Sequence, residues 1–205
     1  MELVTTALDE IYPKNSYNKI LLGQWCYKFA DGISELNHKN KIVKYHWDDR
    51  QKLYYDYEYL TNLYEKYLNS LHRQLNIMHD VDYSLRYWRI VIGPWLRRFI
   101  DIVYDRYQCL EYAYNNHDID YTRIIKINND NAVPNDMHDF NTLSISDGWN
   151  HFIYSYLLNY KNRTIRLFDT THIIRHAINR KSKFKAVSML LNKVNKINFY
   201  GSYIG

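Results

Sequence analysis

The sequence predicts an α/β domain in which a small parallel sheet is flanked by long helices. Short apolar stretches near the N-terminus and around residue 121 have the length and alternation of β-strands. Apolar residues recur at intervals of three and four over residues 50–78, as they do along one face of a helix. The length of 205 residues fits one ordinary domain, and the 46% of hydrophobic residues can form its core.

Three strands are expected in the first 46 residues. Residues 3–7 and 19–23 are apolar and are separated by a turn that contains Pro13. Residues 41–46 are the third strand candidate. Residues 121–127 alternate in polarity and predict a fourth strand later in the chain.

Two long helices are expected in the middle of the chain. The first covers residues 50–78, with Asp48 or Asp49 as its N-cap. The second is expected to begin at the pair Gly93 and Pro94, because proline is well tolerated in the first turn of a helix.

Two more helices are expected in the second half of the chain. One begins at Ser146 or Asp147, since either side chain can cap it, and continues to about residue 160. The other covers about residues 181–196 and has apolar residues on one face and lysines on the other. The polar residues 128–141 are expected to form a loop.

Basic residues are concentrated at the C-terminal end. Residues 161–205 contain ten Lys and Arg but one Asp, whereas the whole chain has a net charge of +5. Such a block is typical of proteins that bind a polyanion, an anionic membrane face or a phosphorylated ligand, and a solvated basic helix explains it equally well. No signal peptide and no apolar run of about 18 residues occurs, so we expect a cytoplasmic protein.

Motifs of the common cofactor and metal enzymes are missing from the sequence. The six glycines form neither GxGxxG nor GxxxxGK[ST], and CxxC, HExxH and GxSxG do not occur. His172 and His176 are four residues apart, but Ile173 stands where a zinc protease has glutamate. The sequence therefore predicts no metal and no cofactor. Cys26 and Cys109 are expected to be buried thiols.

Residues 45–50 place a histidine, two carboxylates and an arginine where a strand is expected to end and a helix to begin. In α/β folds, ligands bind at the carboxyl ends of strands, beside helix N-termini. His46, Asp48 and Asp49 offer a general base there, and Arg50 offers an anion clamp. In the alternative interpretation, the two aspartates only cap the helix and Arg50 forms a surface ion pair.

Residues 86–95 contain arginines among tryptophans. Aromatic faces stack on sugar rings and bases, and arginine side chains bind phosphate or carboxylate. Arg86, Trp88, Arg89 and Trp95 are therefore candidates for binding a sugar or a nucleotide. Alternatively, the tryptophans pack between helices and the arginine stems cover apolar surface.

Asn150 and His151 lie in the first turn of the expected helix after Ser146, where free backbone amides face any ligand in the cleft. His151 is a candidate acid or base, and Asn150 is a candidate partner of a substrate hydroxyl. A structural role for His151 is the alternative.

Five segments follow one another along the chain in a recognisable order. They are LVTTAL at residues 3–8, LGQWC at 22–26, YHWDDR at 45–50, SLRYWR with IGPW at 84–95, and WNH at 149–151. Together they resemble the N-terminal part of the transferases encoded in bacterial O-antigen and surface-polysaccharide loci. The resemblance covers most of residues 1–160.

The resemblance implies a two-lobed glycosyltransferase-like fold of the GT-B type, of which this chain is the Rossmann-like, acceptor-side lobe. Residues 1–196 would form this N-terminal lobe, and residues 197–205 would begin a strand that leads into a missing second lobe. The chain alone is then expected to be inactive. The implied substrates are a nucleotide-sugar donor and a glycan or lipid-linked acceptor, and the basic end would contact an anionic membrane peripherally.

The resemblance also suggests a role for each candidate residue. Asp48, Asp49 or His151 would deprotonate the acceptor hydroxyl. The substrate-binding residues would be His46, Arg50, Arg86, Arg89, Asn150, Trp25, Trp88 and Trp95. The competing hypothesis is a non-enzymatic module that binds nucleic acid or an anionic ligand through residues 161–196. It is less favoured because most tryptophans lie before the basic segment.

Overall fold

The computed structural model describes residues 1–13, 19–27, 41–125 and 132–168 of the chain. Within these residues, five strands form one parallel sheet. The strands are β1 (Glu2–Val4), β2 (Lys19–Leu21), β3 (Lys41–Ile42), β4 (Tyr121–Ile125) and β5 (Ile165–Phe168). The prediction of an α/β fold with a small parallel sheet is thus confirmed.

The strands lie side by side in the order β3-β2-β1-β4-β5. Leu3 of β1 is therefore paired with Ile20 of β2 on one side and with Thr122 of β4 on the other. The sheet grows away from β1 in one direction up to β3 and in the opposite direction from β4 onward. In open α/β sheets, ligands bind outside the carboxyl ends of the strands at such a reversal.

Four α-helices accompany the sheet in the described residues: α1 (Arg50–His79), α2 (Leu85–Asn116), α3 (Met137–Ser144) and α4 (Asp147–Tyr160). Helix α1 confirms the helix predicted over residues 50–78. Its N-cap is Asp49, whose carboxylate accepts hydrogen bonds from the amides of Gln51 and Lys52. Helix α4 confirms the helix predicted after Ser146, whose hydroxyl accepts from the amide of Trp149.

Helix α2 begins at Leu85, well before Pro94, so the predicted start at Gly93 and Pro94 is wrong. The hydroxyl of Ser84 caps the helix by accepting from the amide of Tyr87. Gly93 is buried where α2 approaches α1, and a Cβ atom on it would lie 2.7 Å from the Tyr64 hydroxyl oxygen. The glycine therefore permits close helix packing.

Two elements were not expected from the sequence. Helix α3 begins within residues 128–141, which were predicted to be a loop, and extends three residues beyond them. Asp136 caps it, and the apolar side chains of Phe140 and Leu143 are buried. Burial of these two side chains offsets the polar composition of the segment. Strand β5 was not predicted at all. The predicted helix over 181–196 and the predicted strand start at 197–205 lie outside the described residues.

The buried core has two parts. One includes residues of β1 and β2 and of helices α2, α3 and α4, such as Leu3, Ile20 and Phe140. The other joins α1 to α2 through Leu60, Leu68, Leu96, Ile100 and Tyr104. Helices α1 and α2 have 30 and 32 residues, so each is roughly 45 Å long and extends far beyond the short strands. Among the described helices, none has an apolar stretch long enough to cross a membrane.

Candidate functional site

The end of β3 leads directly into the first group of candidate residues. After Ile42 the chain forms a 3-10 turn at His46–Asp48, and α1 begins immediately afterwards. Within this turn the side chain of His46 is fully buried, whereas Asp48 and Arg50 are exposed. His46 therefore lies in the interior, at the side of the sheet where the parallel strands end, which we call the carboxyl edge.

The buried imidazole of His46 contacts Asp105, which lies on α2. The Nε2 atom of His46 is 3.0 Å from Oδ1 of Asp105, and the Tyr45 hydroxyl donates to the same oxygen at 2.7 Å. An ionised carboxylate only accepts hydrogen bonds, so in a neutral His46 ring Nε2 holds the proton and Nδ1 holds the lone pair. Nδ1 is buried and has no partner among the described residues. An unpaired buried acceptor costs about 1–3 kcal/mol.

Three neighbours keep Asp105 ionised in this buried position. Burial alone raises the pKa of Asp105, but the hydrogen bond from His46, the charge of Arg106 and the hydrogen bond from Tyr45 together hold it below its usual range. The guanidinium of Arg106 also donates directly from Nη1 to Oδ2 of Asp105. Both carboxylate oxygens are therefore occupied.

Arg106 is in turn held by Asn150 in the first turn of α4. Its Nε donates to Oδ1 of Asn150 at 2.8 Å. The Asn150 amide nitrogen donates to the carbonyls of Ser144 at 3.0 Å and Ser146 at 2.8 Å. If the side-chain amide of Asn150 were flipped, its oxygen would face these two carbonyl oxygens, and neither could donate a hydrogen bond. The three contacts therefore determine the orientation of the Asn150 amide. The structure thereby links His46 to Asn150 through Asp105 and Arg106, two residues that had not been predicted.

The atoms near Asp105 also resemble a set of metal ligands. The ligand atoms of His46, Asp105 and Cys109 lie within 4.8 Å of one another. However, Arg106 already neutralises the carboxylate, and burial and the charge of Asp105 raise the pKa of the Cys109 thiol, so the thiolate needed by a metal is disfavoured. The residues fit a hydrogen-bonded network better than a metal site. Both Cys109 and Cys26 are free and buried, as predicted.

His151 connects α4 to the carboxyl end of β4. Its Nε2 accepts the backbone amide of Ile125, the last residue of β4, at 3.1 Å. Burial lowers the pKa of His151 to about 4. The ring is therefore neutral at pH 7, with its proton on the buried Nδ1 atom, which has no partner among residues 1–13, 19–27, 41–125 and 132–168.

The segment that follows β1 adds two buried hydroxyl groups to this edge of the sheet. Thr5 and Thr6 are 2% and 1% exposed, and neither Oγ1 atom has a partner in the described part of the chain. The next amide, that of Ala7, donates to the carboxylate of Asp147 at 3.3 Å, which brings the first residue of α4 to this segment. The ends of β1 and β4 and the start of α4 therefore converge.

Trp25 lies beside the same segment, in the turn after β2. Its indole N–H donates to the Thr5 carbonyl at 3.0 Å, while 41% of the residue surface is exposed. A fixed, half-exposed aromatic ring at this place is able to stack on a ligand.

The candidates between residues 86 and 95 lie on α2. Trp88 is buried and donates to Oδ1 of Asn76 in α1 at 2.6 Å. Arg89 donates to both carboxylate oxygens of Glu65, and Arg86 is exposed. Trp95 stacks on Phe99 with 5.3 Å between ring centroids. No described contact joins these side chains to His46, and their roles in substrate binding stay predictions.

The remaining predicted candidates are those of the turn before α1. Asp49 is occupied as the N-cap of α1. The predicted catalytic role of Asp48, Asp49 or His151 is not tested by their positions alone.

Asp105 and Arg106 were not predicted from the sequence, because they lie among the other polar residues of an amphipathic helix. A weak signal was the four-residue spacing between Asp105 and Cys109, which places both on one face of α2.

Comparison with known proteins identifies the chain at the level of a family. A family model described as LIC12162 family transferase matches residues 1–201. No curated protein and no solved structure matches the chain. The matched region includes nearly all residues of the chain, among them those at the converging ends of β1, β4 and α4. The chain therefore belongs to the LIC12162 family of transferases.

Proposed function

We propose that this protein is the acceptor-side lobe of a glycosyltransferase that acts in surface-polysaccharide synthesis. The family match supports transfer chemistry in general. The observation that supports a ligand site is a set of buried polar atoms at the carboxyl edge of the sheet, beside the reversal of strand order, that have no partner among the described residues. These atoms belong to Thr5, Thr6, His46 and His151.

The chemistry of this edge suits a sugar better than a phosphate. The hydroxyls of Thr5 and Thr6 both donate and accept, as sugar hydroxyls require, and the exposed ring of Trp25 can pack on the apolar face of a sugar. A phosphate is often held by a free guanidinium, but Arg106, the arginine of this network, is already bonded to Asp105 and Asn150. An uncharged acceptor glycan, free or lipid-linked, therefore fits this lobe, and a nucleotide sugar is the donor.

This division of labour is the one expected of a two-lobed GT-B type enzyme, in which residues 1–196 would be the acceptor lobe. The donor would then bind largely to a second lobe that follows residues 197–205. Reading the coding sequence beyond Gly205 tests this part of the proposal. We expect the open frame to continue into a second α/β lobe. A stop codon there, together with a matching intact mass of the natural product, would contradict it.

The transfer reaction itself is tested with the protein encoded by the whole reading frame. UDP-, GDP-, dTDP- and CMP-sugars are each supplied with glycan and lipid-linked acceptors, and released nucleotide and product mass are measured. We expect one donor to be consumed only when an acceptor is present. If no donor is consumed with any acceptor, glycosyl transfer is the wrong reaction.

The place of the acceptor is tested by the substitution Thr6→Val, which keeps the shape of the side chain and removes its hydroxyl. Loss of one hydrogen bond is expected to raise KM for the acceptor about 3- to 10-fold and to leave KM for the donor unchanged. The matched control is Thr142→Val in α3, since the Thr142 hydroxyl bonds only to the His138 carbonyl in the described structure. Equal acceptor KM values for both variants would place the acceptor elsewhere.

A further inference from the structure

We propose, on the basis of the function proposed above, that His46 is the general base of the transfer and that Asp105, Arg106 and Asn150 position it. Neither the family match nor the sequence pattern identifies Asp105 or Arg106. The proposal depends on which ring atom of His46 is free. The Nε2–H group of His46 donates to the Asp105 carboxylate, so the lone pair of the neutral ring is on Nδ1, the buried atom that has no partner in the described residues.

The other candidate bases are less suitable in their surroundings. The carboxylate of Asp49 already accepts from two backbone amides as the N-cap of α1. The Nε2 lone pair of His151 already accepts from the Ile125 amide, so its remaining nitrogen is a donor. Asp48 is exposed, and water competes there for its oxygens. Within the part of the chain that the structure describes, His46 is the one of these four residues that has an unoccupied lone pair in a buried position.

In the proposed step, the O–H bond of the acceptor hydroxyl breaks and its proton passes to Nδ1 of His46. The acceptor oxygen forms a bond to the anomeric carbon of the donor. The bond between that carbon and the nucleotide phosphate breaks, and its electron pair leaves on the phosphate oxygen. The imidazolium that forms is stabilised by the ionised carboxylate of Asp105.

Asp105 can stabilise the imidazolium only if it stays ionised and in place. Arg106 occupies its second oxygen, and Asn150 fixes Arg106 through Nε at 2.8 Å. The contacts of Asn150 with the carbonyls of Ser144 and Ser146 anchor this arrangement to the turn between α3 and α4. Asn150 is thus a positioning residue that acts through Arg106.

The buried state of His46 sets a condition for this step. The ring is closed to solvent, and the rings of Tyr45 and Trp47 lie 5.0 Å and 4.7 Å from it, measured between centroids. The acceptor therefore reaches Nδ1 only when a neighbouring group of this turn is displaced. The same closure keeps water away from the base before the acceptor binds.

The state of His46 is tested without any assay of turnover. Long-range ¹H–¹⁵N spectra of the protein at pH 8.5 distinguish the two tautomers, and the His46 signals are assigned by their loss in His46→Gln. We expect a proton on Nε2 and a lone pair on Nδ1, with a mixture of tautomers in Asp105→Asn. A proton on Nδ1, or a charged ring, would overturn the proposal.

The catalytic role is tested by kinetics of the protein that contains the whole reading frame. His46→Ala is expected to lower kcat by ~10²-fold or more, to change KM for the donor little, and to regain at least tenfold activity when imidazole is added. If imidazole restores nothing while circular dichroism shows a folded variant, His46 is not the base. A wild-type protein without turnover on any donor would overturn the proposed function, whereas the spectra would still report the tautomer.

The positioning role has its own control on the same helix. Asn150→Ala is expected to lower kcat about tenfold without raising KM for either substrate. Asn159→Ala removes a comparable bond, from its amide to the Ser155 carbonyl, and is expected to leave kcat unchanged. Equal kcat values for the two variants would overturn the role of Asn150.

Discussion

Helices α1 and α2 form a hairpin (Arg50–Asn116) that contains the same kinds of residue as the carboxyl edge of the sheet. The two regions differ in the hydrogen bonds that these residues make. In the hairpin, Trp88 is bonded to Asn76, and Arg89 is bonded to both oxygens of Glu65. At the carboxyl edge, His46 and Thr6 are buried, and each has a polar atom without a partner in the described residues. Saturated pairs hold two helices together, whereas unpaired buried atoms are costly unless a ligand satisfies them. Among the described residues the hairpin also has unpaired buried atoms, on Tyr67 and Asp101. The location of such atoms at the carboxyl ends of the strands, more than their presence, therefore marks the candidate site.

The largest effect on stability is expected at the ion pair of the carboxyl edge. Asp105→Ala would leave Arg106 without its carboxylate in a largely buried place, and this is expected to lower the free energy of unfolding by about 3–5 kcal/mol. Urea denaturation at pH 7 measures the change. A loss below 1 kcal/mol would mean that Asp105 behaves like the surface pairs of the hairpin.

The next effect is a dependence of stability on pH that comes from His151. Its pKa is about 4 in the folded protein and roughly 6.5 when unfolded. Only the unfolded chain takes up the proton between these values, so stability is full above pH 6.5 and falls as the pH drops towards 4. The wild type should lose about 3 kcal/mol more than His151→Gln between pH 7 and pH 4. The free energy of unfolding of both proteins is measured by urea denaturation at the two pH values. If the wild type and His151→Gln lose the same amount between pH 7 and pH 4, the ring is not buried in its neutral form.

A smaller effect is expected inside the hairpin. Trp88→Phe keeps an aromatic ring and removes the indole N–H, while Oδ1 of Asn76 still accepts the Tyr83 amide at 3.3 Å. No buried acceptor is orphaned, so the free energy of unfolding should fall by only about 1–2 kcal/mol. Thermal denaturation gives the measurement. A loss of 4 kcal/mol would show that the indole contributes far more to the packing of the two helices.

The smallest effect is expected at the ion pair of the hairpin. The side chains of Arg89 and Glu65 are 39% and 44% exposed, so water screens their attraction although the hydrogen bond from Arg89 lowers the pKa of Glu65. Glu65→Ala should therefore lower the free energy of unfolding by about 0–1 kcal/mol. Denaturation in high salt should reduce the difference further. A loss that equals that of Asp105→Ala would remove the contrast between the two regions.

Local signals predicted the elements that depend on local structure. The periodic apolar spacing of α1 and the capping residue Ser146 of α4 lie within each helix, so both helices could be predicted. Gly93 and Pro94 were misleading because a glycine can also serve close packing, here against Tyr64 of another helix. Helix α3 was missed because its stability depends on the burial of Phe140 against residues distant in sequence.

The candidate site also contains residues that local signals predicted and residues that they did not. His46 and Asn150 became candidates because they lie where a strand is expected to end and where a helix is expected to begin. Asp105 was missed because it lies 59 residues from His46, and nothing near it in the sequence indicates the contact. Arg106 meets Asn150 at a separation of 44 residues.

The sequence by itself determined the α/β character, the boundaries of α1 and α4, and the concentration of polar residues at the expected strand ends. These features depend on local periodicity, on caps and on composition, which each segment carries alone. Only the tertiary structure decided that Asp105 binds His46, that Arg89 belongs to the hairpin, and that Thr6 is buried with no partner for its hydroxyl among the described residues. Burial and the saturation of hydrogen bonds depend on which distant segments meet, because a polar atom left in water always has a partner and one left in a core does not.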